Sequence, residues 1–309
     1  MLRWISGFFS VLLLSLTVAC GGGGDGPSGN VVEVAQRDSR FSILVEAVQA
    51  AGLADTLSGS TQVTVLAPTN DAFAALLAEL GVSKDQLISN KTLLQTVLKY
   101  HVLSGRVPGN ALPLGKAVKP VGGGFFKIDR TGSNLVVTDG RNRTSKIVQA
   151  DIQASNGVIH AVDRVLLPAD KSIVQTAIAN PDFSVLVEAV TAAGLVDSLA
   201  GTGPFTVFAP TNAAFSSLLA ELGLTKAQLL EDKPLLSKVL TYHVVSGLIL
   251  KAEVPLNAPV KTVEGESFTV GADLAITDQR SRRANIVATD VLASNGVIHV
   301  LDKVILPLP

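Results

Sequence analysis

Two nine-residue segments each contain a serine, a histidine and an aspartate, the residue types of a hydrolytic triad. They are SNGVIHAVD at residues 155–163 and SNGVIHVLD at residues 294–302. In such a triad the aspartate bonds one ring nitrogen of the histidine, while the other ring nitrogen activates the serine hydroxyl. Catalysis by these segments would therefore require three side chains to converge within one hairpin.

The strand pattern of these segments argues against a triad. Asn156-Gly157 between two β runs predicts a two-residue hairpin turn that places Gln153 opposite His160. Side chains alternate between the two faces of a strand, so Asp163 is predicted to point away from the face that carries His160. We therefore predict that His160 and His299 are buried structural histidines and that the segments hold no catalytic residue.

The other two histidines of the chain occur in Tyr100-His101 and Tyr242-His243. His101 follows Val97 by four residues on the apolar stripe of a predicted helix, which predicts a buried, hydrogen-bonded ring. No HxH or HxxxH pair occurs and the one cysteine is Cys20, so we expect neither a metal nor another cofactor. The predicted structural motif comprises Tyr100, His101, His160, Tyr242, His243 and His299.

Two arginine-rich segments also recur, TDGRNRTSKI at residues 138–147 and TDQRSRRANI at residues 277–286. One interpretation is a solvated hairpin tip that contributes solubility. The other is a basic edge that binds carboxylates or acidic glycans of a partner. The candidate partner-binding residues are Arg141, Arg143, Arg280, Arg282 and Arg283.

Composition limits the class of partner. The chain has 309 residues, of which 47% are apolar, and its 25 basic residues nearly balance its 26 acidic residues. This length suffices for two domains of ordinary size. No long run of one charge occurs, and nucleic-acid binding would need a basic stripe, so we expect no nucleic-acid partner.

The first thirty residues read as an export and anchoring signal. Arg3 precedes the apolar run Trp4–Val18, which is shorter than the roughly 20 residues of a membrane span. Ala19-Cys20 then resembles the lipobox of bacterial lipoproteins, in which the cysteine is acylated. We predict a signal peptide at 1–19, a lipidated Cys20 with a glycine-rich tether at 20–30, and a cell-envelope location facing the periplasm or the exterior.

The rest of the chain is a tandem repeat. FSILVEAVQAAGLADTLSG at 41–59 recurs as FSVLVEAVTAAGLVDSLAG at 183–201, and APTNDAFAALLAELG at 67–81 recurs as APTNAAFSSLLAELG. Each copy has helical periodicity first and strand periodicity afterwards, which predicts an α+β fold. We place the two domains at 31–168 and 171–308.

Three motifs carry a resemblance to a known family. VTVLAPTNDAF, the Tyr-His pair and NGVIHAVDRVLLP occur in this order in the first copy, and FTVFAPTNAAF, the pair and NGVIHVLDKVILP in the second. The chain resembles tandem fasciclin-type domain proteins. The resemblance implies a mainly antiparallel β-sandwich or wedge with helices packed on it, and an extracellular role in adhesion or matrix interaction.

We therefore predict a lipid-anchored, non-enzymatic adhesion module that binds a matrix or cell-surface protein or glycan. The alternative is a carrier of a small apolar ligand held in a pocket between helices and sheet. A hydrolase would need a serine, a histidine and an acid that converge from separate elements, and the sequence leaves that third class open.

Overall fold

The structure, a computed structural model, describes residues 29–309. Within this range the chain forms two domains in which the same order of helices and strands occurs twice. The duplication and the α+β class predicted from the sequence are thus confirmed. The predicted signal peptide, Cys20 and most of the tether lie outside the described residues. Across residues 29–309, no helix combines the length and the apolar character needed to cross a bilayer.

Local signals set the helix boundaries of the first domain. The helix Asn70–Leu80 begins after Thr69, whose hydroxyl accepts a hydrogen bond from the Ala72 N–H at 3.3 Å. It ends at Gly81, which adopts the left-handed conformation (φ 65°) common after helices. The helices are α1 (Val31–Arg37), α2 (Ser42–Ala50), α3 (Ala54–Ser58), α4 (Asn70–Leu80), α5 (Lys84–Ser89) and α6 (Lys91–Tyr100).

The strands of the first domain are β1 (Val63–Pro68), β2 (Val102–Ser104), β3 (Ala117–Val118), β4 (Phe126–Thr131), β5 (Asn134–Thr138), β6 (Thr144–Ala154) and β7 (Gly157–Val162). They form one seven-stranded sheet in the order β2-β1-β7-β6-β5-β4-β3. β1 and β7 are parallel and buried along their whole length, as expected for strands covered on both faces. The remaining pairs are antiparallel, so the sheet is mixed.

The second domain repeats this architecture. Its sheet has the order β10-β11-β12-β13-β14-β8-β9, and β8 and β14 form its parallel pair. The helices are α7 (Ile173–Ile178), α8 (Ser184–Ala192), α9 (Val196–Ala200), α10 (Asn212–Leu222), α11 (Lys226–Glu231) and α12 (Lys233–Tyr242). The strands are β8 (Phe205–Pro210), β9 (Val244–Ser246), β10 (Pro259–Lys261), β11 (Ser267–Val270), β12 (Ala275–Thr277), β13 (Arg283–Ala293) and β14 (Gly296–Leu301).

Each domain buries most of its apolar side chains in two clusters. In the first domain, Phe73 and Leu94 belong to the cluster between the helices and the sheet. The other cluster contains Tyr100 and Phe126, whose rings meet edge to face at a centroid distance of 5.6 Å. The second domain has the same two clusters. The Tyr-His pair at the end of α6 thus lies where the two clusters meet.

The hairpin between β6 and β7 differs from the predicted one. Its turn is Ser155-Asn156 and not Asn156-Gly157. Gln153 consequently pairs with Val158, where the predicted turn would pair it with His160. The predicted turn was therefore wrong by one residue, and the predicted pairing of the two strands was wrong by two.

The shift arises because Asn156 and Gly157 contact distant parts of the chain. Gly157 lies against β1, where a Cβ atom would come within 2.0 Å of the Val63 carbonyl oxygen. The Asn156 side chain is buried and accepts a hydrogen bond from the Val31 N–H at 2.9 Å. It donates to the Leu57 carbonyl in α3 and to the Gly59 carbonyl directly after α3. Asn295 makes the same set of bonds in the second domain.

The two domains meet at an interdomain joint. The Asn142 amide donates to the Leu292 carbonyl at 3.0 Å and accepts from the Leu292 N–H at 2.7 Å. Lys127 Nζ lies 2.8 Å from a carboxylate oxygen of Asp290, whose side chain is only 5% exposed. Beside these bonds Leu292 belongs to a buried apolar cluster against which Phe125 packs. The joint therefore combines directional hydrogen bonds, a largely buried ion pair and apolar contact.

The two copies have diverged at this joint. Ser281 occupies the position in the second domain that Asn142 has in the first. A serine lacks the amide group that bonds both the N–H and the carbonyl of one residue. Gln153 occupies the position in the first domain that Leu292 has in the second. The joint thus uses one surface of each domain, and the corresponding surface of the other copy has different chemistry.

Candidate binding sites

His101 and His243 are buried at the ends of α6 and α12. The His101 Nδ1 lies 2.7 Å from the Val97 carbonyl oxygen, and its Nε2 accepts from the Leu166 N–H at 2.9 Å. A ring with one donating and one accepting nitrogen is neutral. His243 repeats both bonds. Burial lowers the pKa of each ring from 6.5 to about 4.

The tyrosines that precede these histidines bond different segments of the chain. The Tyr100 hydroxyl donates to the Phe125 carbonyl at 2.6 Å, and the Tyr242 hydroxyl donates to the Ser267 carbonyl at 3.1 Å. Burial raises the pKa of both hydroxyls. Each Tyr-His pair therefore joins the end of its helix to two other segments, the start of β4 or β11 and the segment that follows β7 or β14.

His160 does not form a triad with Asp163. The His160 Nδ1 accepts from the Asp151 N–H at 3.2 Å, and its Nε2 lies 3.0 Å from the Val107 carbonyl oxygen. Asp163 instead accepts hydrogen bonds from groups of β6. His299 repeats the pattern of His160. In residues 29–309 every histidine thus bonds main-chain atoms through both nitrogens, and no cluster of three or more His, Cys, Asp or Glu is placed to hold a metal.

Arg143 and Arg282 are engaged within their own domains. The Arg143 guanidinium donates through Nε at 3.0 Å and through Nη2 at 2.8 Å to the Asp139 carboxylate, which is 1% exposed. Arg282 forms a looser ion pair with the equivalent Asp278, in which Nη1 lies 3.8 Å from a carboxylate oxygen. Removing one partner of a buried ion pair typically costs about 3–5 kcal/mol of stability. Both arginines also bond a glutamate of α4 or α10 and a main-chain carbonyl after β7 or β14, so these two predicted site residues hold the hairpin tip to the rest of the domain.

Arg141, Arg280 and Arg283 are less constrained. The Arg141 side chain is 36% exposed and lies 3.2 Å from Asp170. Arg280 donates through Nε to a main-chain carbonyl near the end of the chain. Arg283 forms an ion pair with Asp273 in which both side chains are more than half exposed. A guanidinium has five N–H donors, so each of the three retains donors for a partner.

Arg141 and Arg280 line the edges of matching apolar cavities, here called the arginine-rimmed pockets. The first lies between α4, α5 and α6 and has a volume of about 190 Å³, and the second lies between α10, α11 and α12 with about 110 Å³. Leu80 and Leu93 of the first pocket are 41% and 39% exposed, and Leu222 of the second is 40% exposed. Each pocket thus places a cation beside accessible apolar surface.

Sequence reasoning identified the arginines but not the pockets. The available signal was the apolar stripe of α4, which continues to Leu80 in the last turn of the helix. An apolar residue at that point is ordinarily assigned to the core. The pocket becomes visible only when the stripe, Leu93 and Arg141 are placed together in three dimensions.

A larger apolar cavity distinguishes the second domain. It lies among α7, α8 and the strands β8 and β9 and has a volume of about 280 Å³. The corresponding cavity of the first domain, among α1, α2 and β1, has about 30 Å³. This cavity is therefore a property of one copy and not of the repeated fold.

Comparison with known proteins identifies the domains. The family model described as "Fasciclin domain" matches residues 39–168 and 181–307. The chain is 31% identical over 255 residues to transforming growth factor-beta-induced protein ig-h3 of Sus scrofa, an alignment covering 81% of this chain and 35% of that protein. The chain thus spans about a third of the length of that relative.

Two bacterial relatives match about one domain's length of the chain. Protein sll1483 of Synechocystis sp. is 48% identical over 139 residues, which are 44% of this chain and 73% of that protein. Cell surface glycolipoprotein MPB83 of Mycobacterium bovis is 36% identical over 149 residues, which are 45% of this chain and 62% of that protein. The similarity therefore extends from animal to bacterial proteins.

Proposed function

Because the chain belongs to the fasciclin-domain family, we propose that it is a non-enzymatic adhesion module with two binding sites, the arginine-rimmed pockets. Its partner is a matrix or cell-surface protein or glycan. The observation that carries the proposal is recurrence: both domains place an exposed arginine beside exposed leucine over an apolar cavity. Similarity to a cell surface glycolipoprotein supports a location at the cell surface.

The pocket chemistry defines the partner group. An apolar side chain fills the cavity, and an adjacent carboxylate bonds the guanidinium of Arg141 or Arg280. An exposed ion pair contributes only about 0–1 kcal/mol, and burial of apolar surface adds about 25 cal/mol per Å². Each contact is therefore weak by itself, and adhesion depends on both.

Removing both exposed arginines, Arg141→Ala with Arg280→Ala, is expected to weaken binding to a matrix preparation and to reduce its dependence on salt, because screening acts on exposed charges. Arg143 and Arg282 stay in place, since their loss would destabilise the domains. Arg130→Ala, an exposed arginine on β4, is the matched control and should bind like the natural chain. Unchanged affinity and salt dependence in the double variant would contradict this use of the pockets.

We further propose that Cys20 is acylated and holds the domains at the cell envelope through the tether. Cys20→Ser removes the acceptor thiol, so the chain should move from the detergent phase to the aqueous phase when membranes are extracted. Both forms are expressed in the same host and followed by immunoblot. Equal partitioning of the two forms would rule out a lipid at this position.

The second candidate function is carriage of a small apolar ligand. It is favoured by the cavity of about 280 Å³ in the second domain, which the first domain lacks at that size. This function requires neither the arginines nor the duplication.

A further inference from the structure

The interior of the large cavity in the second domain has no free hydrogen-bond donor. Leucine, valine and isoleucine side chains form most of its wall, together with His243 and Thr191. Both ring nitrogens of His243 are bonded to main-chain atoms, and the Thr191 hydroxyl donates to the Val187 carbonyl at 2.7 Å. The part of a ligand that enters this cavity must therefore be apolar.

The first domain shows that the fold does not require this space. Its cavity has about 30 Å³ against about 280 Å³ in the second. The apolar side chains that line the second cavity are no smaller than those of the first, since Ile173 replaces Val31 and Phe208 replaces Leu66. The additional space therefore comes from the placement of the helices. An empty cavity lowers stability as its volume increases, so an apolar occupant would stabilise the second domain.

The mouth of the cavity has also changed between the copies. Ile178 lies on its rim and is 62% exposed, and the corresponding residue of the first domain is Gln36. Thr191 lies on the same rim and replaces the longer Gln49. Two polar glutamine side chains are thus replaced by an exposed aliphatic side chain and a shorter one, which leaves an apolar and less obstructed entrance.

We propose that the second domain binds one straight aliphatic chain, with its polar end outside the cavity near Ile178. An apolar cavity of about 150 Å³ accommodates benzene, so about 280 Å³ accommodates a chain of roughly ten to twelve carbons. A free fatty acid and the acyl chain of a lysolipid share this chemistry. The inference rests on carriage, the second function proposed above, and is independent of adhesion.

Titration of the two-domain chain with dodecanoate and with lauroyl lysophosphatidylcholine tests the inference, with native mass spectrometry for stoichiometry. We expect both probes to bind, at one chain per protein. Val187→Phe fills the cavity and should weaken binding at least tenfold. Ile178→Gln restores the rim of the first domain and should weaken binding by a smaller factor. Gln36→Ile, the control in the first domain, should leave affinity and stoichiometry unchanged.

Each other outcome overturns a defined part of the inference. Two chains per protein, or natural affinity in both Val187→Phe and Ile178→Gln, would place the ligand elsewhere. Binding of the lysolipid alone would mean that the head group holds the ligand. Tighter binding of a compact ring, adamantane carboxylate, would refute the straight chain but retain carriage. Binding of none of these probes would refute carriage too. If Val187→Phe fails to fold, Ile178→Gln still tests the position of the ligand, because residue 178 is exposed and its substitution leaves the core intact.

Discussion

Lowering the pH from 7 to 4 should reduce the free energy of unfolding by on the order of 3 kcal/mol in each domain. His101 and His243 are responsible, because burial lowers their pKa from 6.5 to about 4. Below pH 6.5 the unfolded chain binds protons that the folded domains exclude, so the unfolded state is favoured. The stability that the neutral rings of His101 and His243 contribute is complete above pH 6.5 and is lost between pH 6.5 and about 4. Urea unfolding at a series of pH values measures the loss.

The control for this prediction is His101→Gln with His243→Gln. Glutamine offers a donor and an acceptor but does not titrate. The variant should be less stable at pH 7, because the ring packing is lost, yet its stability should depend much less on pH between 6.5 and 4. Burial also lowers the pKa of His299. Some dependence of stability on pH should therefore remain in the second domain. If the variant keeps the full pH dependence, His101 and His243 are not its source.

Disabling one arginine-rimmed pocket should weaken retention on a partner-coated surface by a factor of about 10² to 10⁴. The interdomain joint and the short connection between the domains restrict the separation of the two pockets, so the second contact forms within an already bound complex. Leu80→Ser with Arg141→Ala disables the first pocket, and Leu222→Ser with Arg280→Ala disables the second. Equilibrium retention at fixed partner density measures the effect.

The same variants contain their own control. Against a soluble partner with one binding group, each single-pocket variant should show nearly the affinity of the natural chain, because only one contact forms in either case. If a single-pocket variant is retained as strongly as the natural chain on the coated surface, the disabled pocket does not contribute to adhesion.

Features set by neighbouring residues were predictable from the sequence. Thr69 precedes α4 and Gly81 follows it, and both are residue types that commonly end helices. The apolar stripe of α6 placed His101 above Val97, and that ring is buried and bonded to the Val97 carbonyl. Helix caps and periodicity act over a few residues, which is why they can be read without tertiary information.

Features that depend on distant segments were not predictable. Asn-Gly is a strong local turn signal, but Gly157 is needed for close approach to Val63 and Asn156 for the bond to Val31. These contacts outweigh the local turn preference, and the two turn residues therefore lie one position earlier than predicted. Similarly, Arg141 and Arg143 are equivalent in sequence pattern, and only the position of the buried Asp139 carboxylate separates the bound arginine from the exposed one.

The divergence of the two copies is the least predictable feature. The repeat suggests two equal domains, whereas the joint depends on Asn142 and Leu292, each present in one copy only. The large cavity depends on the placement of α7 and α8, because the apolar side chains that line it are no smaller than those at the same positions of the first domain. The close similarity of the repeated motifs therefore does not reveal where the copies differ in structure.

The most direct test of two-site adhesion is the dissociation rate of the natural chain from surfaces that carry increasing densities of partner. Two-site binding predicts that dissociation slows as the density rises, because the second pocket finds a partner group within reach. The single-pocket variants should dissociate at a rate that does not depend on density. A natural chain that dissociates at one constant rate, equal to that of the single-pocket variants, would contradict two-site adhesion.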